Sequence, residues 1–577
     1  MSKKEEHNLQ NYPKIYKNFS WKDHYKELDW FKNKKLNAAY NAVTRHALSK
    51  DKDKIALYWE DEKTAEKFSF ADLDHLSNKF ANILKKQGIK KGDRVFIFLT
   101  RIPEIYITFL GILKTGAIAG TLFQAFGYDA LKDRLQNSGA KYLITNSELV
   151  KRVYKIKKGC PLLKKIILTD KKTVKKDEIS YLNEMDKASD QFKIKEMHPK
   201  DPAFMLYTSG TTGKPKGVVH SHLAILQQHM TAKWILDLKE DDIYWCTADP
   251  GWVTGISYGI LGNWSNKIST LVYNGKFSAE NWYSLIEKHK VTVWYTAPTA
   301  IRMLMKEDSG LKINKNKLSK IKLKQKFDLS SLRHLCSVGE PLNPEAIRWG
   351  QKKFKLSFHD TWWQTETGAM CIANNPALKI KIGSMGKPFP GIEAAALNDK
   401  GQKIIGKEGN LVLKKGWPSM MITIWKNQEK YDSYFKKGWY YTGDKAKQDK
   451  EGYFWFVGRG DDIIKTKGER VGPFEVESAL VEHPGIVEAA VIGKPNKLYG
   501  EIIKAFVVLT KGYKPKKTFT EDVQKFVKKK LAGHAYPKEI EIRENLPKTR
   551  SGKIVRRLLK AQELGLDIGD TSSLEKD

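Results

Sequence analysis

Cysteine is scarce in this chain, and no disulfide or zinc-site spacing accompanies it. The four cysteines among 577 residues stand at positions 160, 246, 336 and 371, far from one another. Long apolar runs are also lacking, because Lys114 and four glycines interrupt the segment 106–127, which favours a helix followed by a buried strand. The amino terminus lacks the apolar region of a secretory signal. The absence of paired cysteines, of a long apolar run and of a secretory signal predicts a soluble, cytoplasmic protein without a membrane partner.

Acidic residues are too few to balance the basic ones. Lys and Arg number 102 against 66 Asp and Glu, a formal charge of +36. A nucleic-acid-binding protein would explain that charge, since lysines neutralise phosphates regardless of base sequence. The lysines are spread along the whole chain without an RNA- or DNA-binding motif, which favours a lysine-rich surface and no nucleic-acid partner. The densest run, 311–327, holds seven lysines and no acid, and it is predicted to be a solvated insertion loop.

Length and periodicity predict an α/β protein of more than one domain. A chain of 577 residues is too long for one core, and its 41% hydrophobic content suffices for several. Apolar runs at 94–99, 141–145, 165–169, 291–295 and 332–338 alternate with helical patterns, as in βαβ units with largely parallel sheets. The composition changes near 458–462, before a segment long enough for one α+β domain. We therefore expect a large domain over 1–460, a small domain over 461–567 and a polar tail over 568–577.

Glycines, hydroxyls and lysines concentrate in the segment 207–217, directly after an apolar run. Three glycines let the backbone approach an anion, and four hydroxyls and two lysines supply groups for phosphate oxygens. A Walker loop requires Ser or Thr after its lysine, whereas Pro215 follows Lys214. Composition alone leaves two interpretations open, a phosphate loop of another kind and a plain flexible loop.

The order of residues in YTSGTTGKPKGVVH (207–220) resembles the phosphate-binding signature of the acyl-adenylate-forming (AMP-binding) superfamily. Further motifs follow in that family's order: SVGEPLNPE (337–345), DTWWQTETG (360–368), YTGD (441–444), GRGDDIIKTKGERVGPFEVE (458–477) and PKTRSGKI (547–554). The segment 11–31 is similar to the leader of the acetyl-CoA synthetase branch, so the resemblance covers nearly the whole chain. It implies a ligase that adenylates acetate with ATP and passes the acetyl group to coenzyme A, with a mobile carboxy-terminal domain.

The resemblance also implies the nucleotide site, residue by residue. In the family, the lysine matching Lys553 reaches the carboxylate and the α-phosphate, where a point cation offsets repulsion between two anions. Asp444 and Arg459 match the ribose site, and Arg470 matches an α-phosphate contact. Glu366 matches the Mg²⁺ ligand that accompanies ATP. The other matching nucleotide positions are Thr208, Ser209, Gly210, Thr211, Thr212, Gly213, Lys214, Gly339, Glu340, Pro341, Asp360, Thr361, Trp362, Trp363, Gln364 and Thr365.

Trp363 implies which acid is used, because its counterpart is small in relatives that take longer acids. A tryptophan there would close the pocket beyond a methyl or ethyl group. Acetate and propionate differ by one methylene, which lets an enzyme discriminate between them by only about 1–3 kcal/mol. A propionyl-CoA synthetase therefore remains an alternative, and a medium-chain acyl-CoA synthetase of the same superfamily is kept as another. The remaining acyl-pocket positions are Val253, Thr254 and Val338, and the coenzyme A positions are Thr254, Lys467 and Gly468.

Asp461 matches the family's hinge, about which the small domain turns between half-reactions and withdraws Lys553. The chain departs from the pattern nearby, with Gly460 where valine is common and Lys467 where serine is usual. Because Lys553 must be cationic, its acetylation should inactivate the enzyme, and a lysine acetyltransferase and deacetylase are expected partners.

Two histidine-containing segments receive different interpretations. In VEHPGI, the positions Val481, His483 and Ile486 match a structural cation site built from carbonyls and an imidazole. His220 and His222, which stand two residues apart, are expected to be structural.

Overall fold

The computed structural model describes residues 6–208, 215–308, 327–466, 469–496, 498–510, 512–531, 535–549 and 553–568. Its helices are α1 (Tyr12–Asn18), α2 (Arg45–Ala47), α3 (Phe70–Lys86), α4 (Pro103–Thr115), α5 (Tyr128–Ser138), α6 (Val150–Ile156), α7 (Tyr181–Lys187), α8 (Ala224–Trp234), α9 (Val253–Ile256), α10 (Gly262–Ser265), α11 (Ala279–His289), α12 (Pro298–Asp308), α13 (Pro344–Phe354), α14 (Gln428–Ser433), α15 (Pro473–Val481), α16 (Phe519–Lys530) and α17 (Arg556–Leu564).

The strands are β1 (Ile55–Glu60), β2 (Ala65–Ser69), β3 (Arg94–Phe98), β4 (Ile118–Thr121), β5 (Tyr142–Thr145), β6 (Lys165–Leu168), β7 (Glu178–Ser180), β8 (Pro202–Thr208), β9 (Lys216–Ser221), β10 (Ile243–Cys246), β11 (Ser269–Tyr273), β12 (Val293–Thr296), β13 (His334–Val338), β14 (Phe358–Trp362), β15 (Ile372–Ala373), β16 (Lys387–Pro388), β17 (Ala394–Leu397), β18 (Glu408–Lys414), β19 (Thr423–Ile424), β20 (Phe435–Lys436), β21 (Trp439–Gln448), β22 (Phe454–Arg459), β23 (Ile464–Thr466), β24 (Glu469–Val471), β25 (Ile486–Asn496), β26 (Gly500–Leu509) and β27 (Glu539–Ile542).

Two large sheets form the amino-terminal part of the molecule. One has nine strands in the order β16-β15-β14-β13-β12-β10-β11-β1-β2, and the other has eight in the order β19-β9-β8-β4-β3-β5-β6-β7. The central pairs of both sheets are parallel, and antiparallel strands occur at the edges. Strands buried on both faces read as continuous apolar runs, which is why these segments were recognisable. The predicted α/β class is confirmed.

The interrupted apolar segment forms the helix α4 and the buried strand β4, as predicted. Pro103 opens the helix, and Gly116 ends it at φ 78°, a conformation that glycine adopts without strain. Lys114 is fully buried, and its Nζ contacts Asp74 Oδ1 of α3 at 2.6 Å and Asn78 Oδ1 at 2.7 Å. This pair ties α3 to α4, since removing either partner would leave an uncompensated buried charge.

The remaining strands form two smaller sheets in the described residues. In the first, β17, β18, β21 and β20 are neighbours and β22 pairs with β21; this antiparallel sheet ends at Arg459. In the second, β24, β23, β26 and β25 are neighbours and β27 pairs with β26, with the helices α15, α16 and α17 alongside. The helix α16 packs on this sheet through its apolar residues Phe519, Val523 and Val527, which recur every four residues and face the core.

All four cysteines are free and buried. Burial raises the pKa of each thiol, to about 11 for Cys246 and about 12 for Cys371. Among the described residues no helix is both long and apolar enough to span a bilayer.

Candidate active site

Two groups of predicted nucleotide residues, 339–341 and 363–366, follow the carboxyl ends of the neighbouring parallel strands β13 and β14. Gly339 comes directly after β13 at φ 95°, where any side chain would strain the turn. The next residue, Glu340, is held by α12, because Thr299 Oγ1 donates to its Oε1 at 2.5 Å and Arg302 Nη2 to its Oε2 at 2.8 Å. The carboxyl end of a parallel sheet is the usual position of ligands in open α/β folds.

Asp444 and Arg459 face each other across the pair β21–β22. They are register partners, and Arg459 Nη1 lies 3.3 Å from Asp444 Oδ1. Trp362 Nε1 and Gln364 Nε2 each donate to Asp444 Oδ2 at 3.1 Å. Burial raises the pKa of Asp444, an effect that Arg459 opposes. Asp444 Oδ1 is buried and accepts no hydrogen bond from the described residues, and its contact with Arg459 is the ion pair at 3.3 Å.

Gln364 and Glu366 occupy the turn after β14. The Gln364 amide is used within the protein, donating to Thr442 O at 3.0 Å and accepting from Tyr440 Oη at 2.8 Å. Glu366 is half-buried, and its Oε1 accepts from Tyr434 Oη at 3.3 Å. Because the hydrogen bond from Tyr434 uses one lone pair of the Glu366 carboxylate, among the described residues, other lone pairs remain for a hard cation. Glu366 therefore fits Mg²⁺ held jointly with phosphates.

Asp360 and Thr361 lie inside β14. Burial raises the pKa of Asp360 to about 7, although the Thr361 amide donates to its Oδ1 at 3.0 Å. Thr361 Oγ1 donates to Ser337 O at 2.7 Å and contacts Tyr295 Oη at 2.8 Å. The Thr361 side chain therefore belongs to the packing between strands.

Lys553 lines a cavity of about 60 Å³ between the two parts of the molecule, together with Glu340 and Arg302. Its side chain is solvent-accessible. Loss of part of its hydration lowers the pKa of Lys553 below 10.5, and the cations Arg459 and Arg556 add to this, whereas Glu340 and Asp444 oppose it. The structure thus brings Lys553 into the electrostatic neighbourhood of the Asp444–Arg459 pair.

The two adjacent tryptophans point in different directions. Trp362 faces Asp444, whereas Trp363 is half-buried against Tyr258, with ring centroids 5.1 Å apart at 83°. A relay of hydrogen bonds holds the Trp363 indole: Nε1 donates to Tyr295 Oη at 3.2 Å, and Tyr295 Oη contacts Thr361 Oγ1 at 2.8 Å.

The other predicted acyl-pocket residues also belong to the apolar interior or its margin. Val253 and Trp363 pack against the large core cluster that contains the buried Val338. Thr254 is half-buried on the short helix α9, next to Val253. Their grouping into one acyl pocket stays a prediction.

His220 has a contact that sequence reasoning did not anticipate. It is fully buried on β9, and its Nδ1 lies 2.9 Å from Ser419 O and its Nε2 2.8 Å from Thr365 O. The ring stacks on Phe204 with centroids 5.0 Å apart. His220 thereby joins the strand after the phosphate signature to the turn that carries Glu366; the only signal was its position in the chain. His222 instead accepts from Ala38 N at 3.1 Å, a structural contact.

Several predicted residues lie outside the described ones. The phosphate loop 209–214, the positions Lys467 and Gly468, the side chain of Arg470 and nearly all of the insertion 311–327 belong to this group. Thr208 ends β8 and is half-buried. Asp461 is exposed in the turn after β22, where Gly460 N donates to Gly443 O at 2.8 Å.

Val481 is the last residue of α15, His483 lies in the turn that follows, and Ile486 begins β25. The Gly485 amide donates to His483 Nδ1 at 3.1 Å. The cation site that the resemblance implies at these positions stays a prediction. No cluster of three or more His, Cys, Asp or Glu suited to a metal occurs in the described ranges.

Comparisons with known proteins agree on one type of enzyme. The family described as AMP-binding enzyme matches residues 44–425, and its carboxy-terminal domain matches 475–553. The chain is 52% identical, over 99% of its length and 98% of the relative's, to an acetyl-coenzyme A synthetase of Bacillus subtilis (strain 168). It is 39% identical, over 94% of its length and 86% of the relative's, to an acetyl-coenzyme A synthetase of Methanothrix thermoacetophila.

Solved structures show the same fold. A Brucella canis acyl-CoA synthetase matches with a TM-score of 0.73 and 33% identity, over 96% of this chain and 99% of that one. An anthranilate CoA ligase in complex with anthranoyl-AMP matches with a TM-score of 0.83 and 28% identity, over 95% and 99% of the two chains.

Proposed function

The chain belongs to the AMP-binding enzyme family, and on this premise we propose that it converts acetate, ATP and coenzyme A to acetyl-CoA, AMP and pyrophosphate. It is an acetate–CoA ligase of the AMP-forming type. The observation that carries this conclusion is the placing of Lys553 in a cleft near the Asp444–Arg459 pair, in a chain whose full length matches acetyl-coenzyme A synthetases.

In the first half-reaction, an acetate oxygen attacks the α-phosphorus of ATP. The new O–P bond forms as the bond to the β-phosphate oxygen breaks, giving acetyl-AMP and pyrophosphate. Lys553 neutralises the two approaching anions, and Asp444 and Arg459 hold the ribose. The ion pair between Arg459 Nη1 and Asp444 Oδ1 at 3.3 Å supports this assignment, because it holds the two side chains next to each other.

Magnesium would be held by Glu366 together with phosphate oxygens, and would supply charge neutralisation to the leaving pyrophosphate. Tyr434 supports this assignment, because its hydroxyl orients the Glu366 carboxylate at 3.3 Å. The phosphate loop, with Ser209 to Lys214, and Arg470 complete the nucleotide site in this proposal.

In the second half-reaction, the thiolate of coenzyme A attacks the carbonyl of acetyl-AMP, and AMP leaves. The carboxy-terminal domain, from Asp461 onward, turns about that residue, withdraws Lys553 and presents Lys467 and Gly468 to coenzyme A. The separate sheets and the exposed turn at Asp461 support this division.

Acetate is favoured over longer acids because Trp363 closes the pocket formed with Val253, Thr254 and Val338. The relay through Tyr295 and Thr361 fixes the indole in that position. Propionate should be a poor substrate, and a medium-chain activity is disfavoured. A nucleic-acid-binding role is disfavoured too, since it predicts loss of the site residues.

Regulation and location follow from the chemistry of the site. The solvent-accessible Lys553 is open to acetylation, which removes the cation that adenylation needs. A lysine acetyltransferase and a deacetylase would then set the active fraction. We infer a cytoplasmic location, supported by the use of ATP and coenzyme A and by four free thiols.

A panel of acids from formate to octanoate, assayed for AMP formation with and without coenzyme A, tests the proposal. Acetate should give the highest kcat/KM, and each added methylene beyond propionate should lower it. If no acid yields AMP in the presence of Mg²⁺, the proposed function is wrong.

A further inference from the structure

The guanidinium of Arg556 joins three elements of the carboxy-terminal part of the molecule. Its Nε donates to Glu477 Oε1 at 2.6 Å, and its Nη2 pairs with the other oxygen of that carboxylate. Its Nη1 lies 3.9 Å from Asp462 Oδ2. Glu477 belongs to α15, Asp462 follows the proposed hinge, and Arg556 begins α17. One side chain therefore connects a core helix, the hinge and the first turn of α17.

Arg556 is also three residues from Lys553 and lines the same cavity. Two hydrogen bonds join Thr549 and Lys553: Thr549 N donates to Lys553 O at 2.7 Å, and Lys553 N donates to Thr549 Oγ1 at 3.1 Å. Before Thr549, Lys548 Nζ pairs with Glu488 Oε1 of β25 at 2.6 Å. Two ion pairs, of Lys548 and of Arg556, thus flank the bonded residues Thr549 and Lys553.

The Arg556–Glu477 pair is well placed to resist movement. The Glu477 side chain is only 9% exposed, and its Oε1 also accepts the Val491 amide at 2.9 Å. Bidentate, charge-assisted bonds are stronger than neutral ones and fix orientation, which a lysine at this position would not do. Movement of Arg556 would therefore break its bonds to the buried Glu477 carboxylate.

We propose that Arg556 is a positioning residue for adenylation, which fixes the position of Lys553 and links Lys553 to the hinge. The inference rests on the proposed function, because the role of Lys553 comes from there. Arg556 acts through Lys553 and not on substrate. Once the domain has turned and Lys553 is withdrawn, the Arg556–Glu477 pair no longer affects the chemistry, so thioester formation does not need this pair.

The test compares the two half-reactions in Arg556→Gln and Arg556→Lys. A 1 Å misplacement of a reacting group can cost about 10²-fold, so Arg556→Gln should lower acetate-dependent ATP–pyrophosphate exchange by about that factor. Turnover of supplied acetyl-adenylate with coenzyme A should stay within about twofold of the wild type. The matched control is Arg557→Gln, since Arg557 is exposed and donates through Nη1 to Ile568 O at 2.7 Å.

A second readout is the pH profile of exchange, which a purely structural role would leave unchanged. Lys553 is faced by the cations Arg459 and Arg556 and by the anions Glu340 and Asp444. Removing the Arg556 charge should move the alkaline limb of exchange to higher pH in Arg556→Gln, whereas Arg556→Lys keeps a cation and should leave it in place.

Glu477→Gln tests whether Arg556 supports ATP–pyrophosphate exchange through its ion pair with Glu477. It should lower exchange without raising the alkaline limb, because the Arg556 cation is retained. The double variant Arg556→Gln/Glu477→Gln should lose no more than the worse single variant, as expected for partners in one contact.

Equal losses in both half-reactions, or exchange within about twofold of the wild type in Arg556→Gln, would overturn the proposal. If Arg556→Gln fails to fold, Arg556→Lys and Glu477→Gln decide by the same criterion. Absence of acetate-dependent exchange in the wild type would instead contradict the proposed function, so the two failures are distinguishable.

Discussion

Replacing Trp363 by glycine should turn an acetate-selective enzyme into one that prefers longer acids. The indole is half-buried against Tyr258, with centroids 5.1 Å apart, and its removal opens a channel where the acyl chain would continue. Each methylene buried there contributes about 0.8 kcal/mol, so the three additional methylenes of pentanoate contribute about 2.4 kcal/mol, or about 60-fold in kcat/KM relative to acetate.

The fold should survive this change. Tyr295 Oη keeps its contact with Thr361 Oγ1 at 2.8 Å when the Trp363 donor is lost, so no buried hydroxyl is left without a partner. The loss of packing is at most about 3–5 kcal/mol, the range for a fully buried aromatic ring, and Trp363 is only half-buried. Thermal unfolding of the variant measures that loss separately from its activity.

The assay is kcat/KM for AMP formation with acetate, propionate, butanoate, pentanoate and hexanoate. Trp363→Phe is the matched control, because it removes the indole donor but keeps a ring in the channel, and it should retain the preference for acetate. A folded Trp363→Gly enzyme with unchanged acetate selectivity would refute the argument that this side chain forms the wall.

Three further predictions concern the nucleotide site. Lys553→Ala, or quantitative acetylation of Lys553, should abolish acetate-dependent ATP–pyrophosphate exchange while supplied acetyl-adenylate is still consumed; full exchange after acetylation would contradict the assigned role. Because adenylation needs the cation, and partial loss of hydration with the nearby cations Arg459 and Arg556 lowers the pKa of Lys553, exchange in the wild type should fall as pH rises through a value below 10.5, and Lys553→Arg should move that limb upward. Asp444→Asn should raise the KM for ATP by about 10–100-fold, since hydrogen bonds to a charged group contribute about 1.5–3 kcal/mol; an unchanged KM would remove Asp444 from the ribose site.

The parallel strands could be predicted from the sequence because burial on both faces produces short, continuous apolar runs. The runs at 94–99 and 165–169 became β3 and β6 with ends shifted by one residue. The two-residue strands β15, β16, β19 and β20 could not be predicted, since they exist only through pairing with distant partners and have no period of their own.

The site residues were predictable from ordered motifs, but their partners were not. Tyr434, which donates to Glu366, and Arg302, which holds Glu340, stand far from the residues they orient, and local spacing carries no trace of such contacts. The same applies to His220, whose two carbonyl contacts come from Thr365 and Ser419. The motifs predict the groups that would contact substrate, but they do not predict the residues that hold those groups in place.

The distribution of thiols has a practical consequence for observing domain motion. Cys160, Cys246, Cys336 and Cys371 all precede Asp461 and are buried, and their raised pKa keeps them protonated at neutral pH. A single cysteine introduced on the surface after Asp461 would therefore be the one thiol that a maleimide dye labels quickly in the native protein. Fluorescence from that probe would test whether the small domain turns during catalysis as proposed, with no need to remove a native cysteine first.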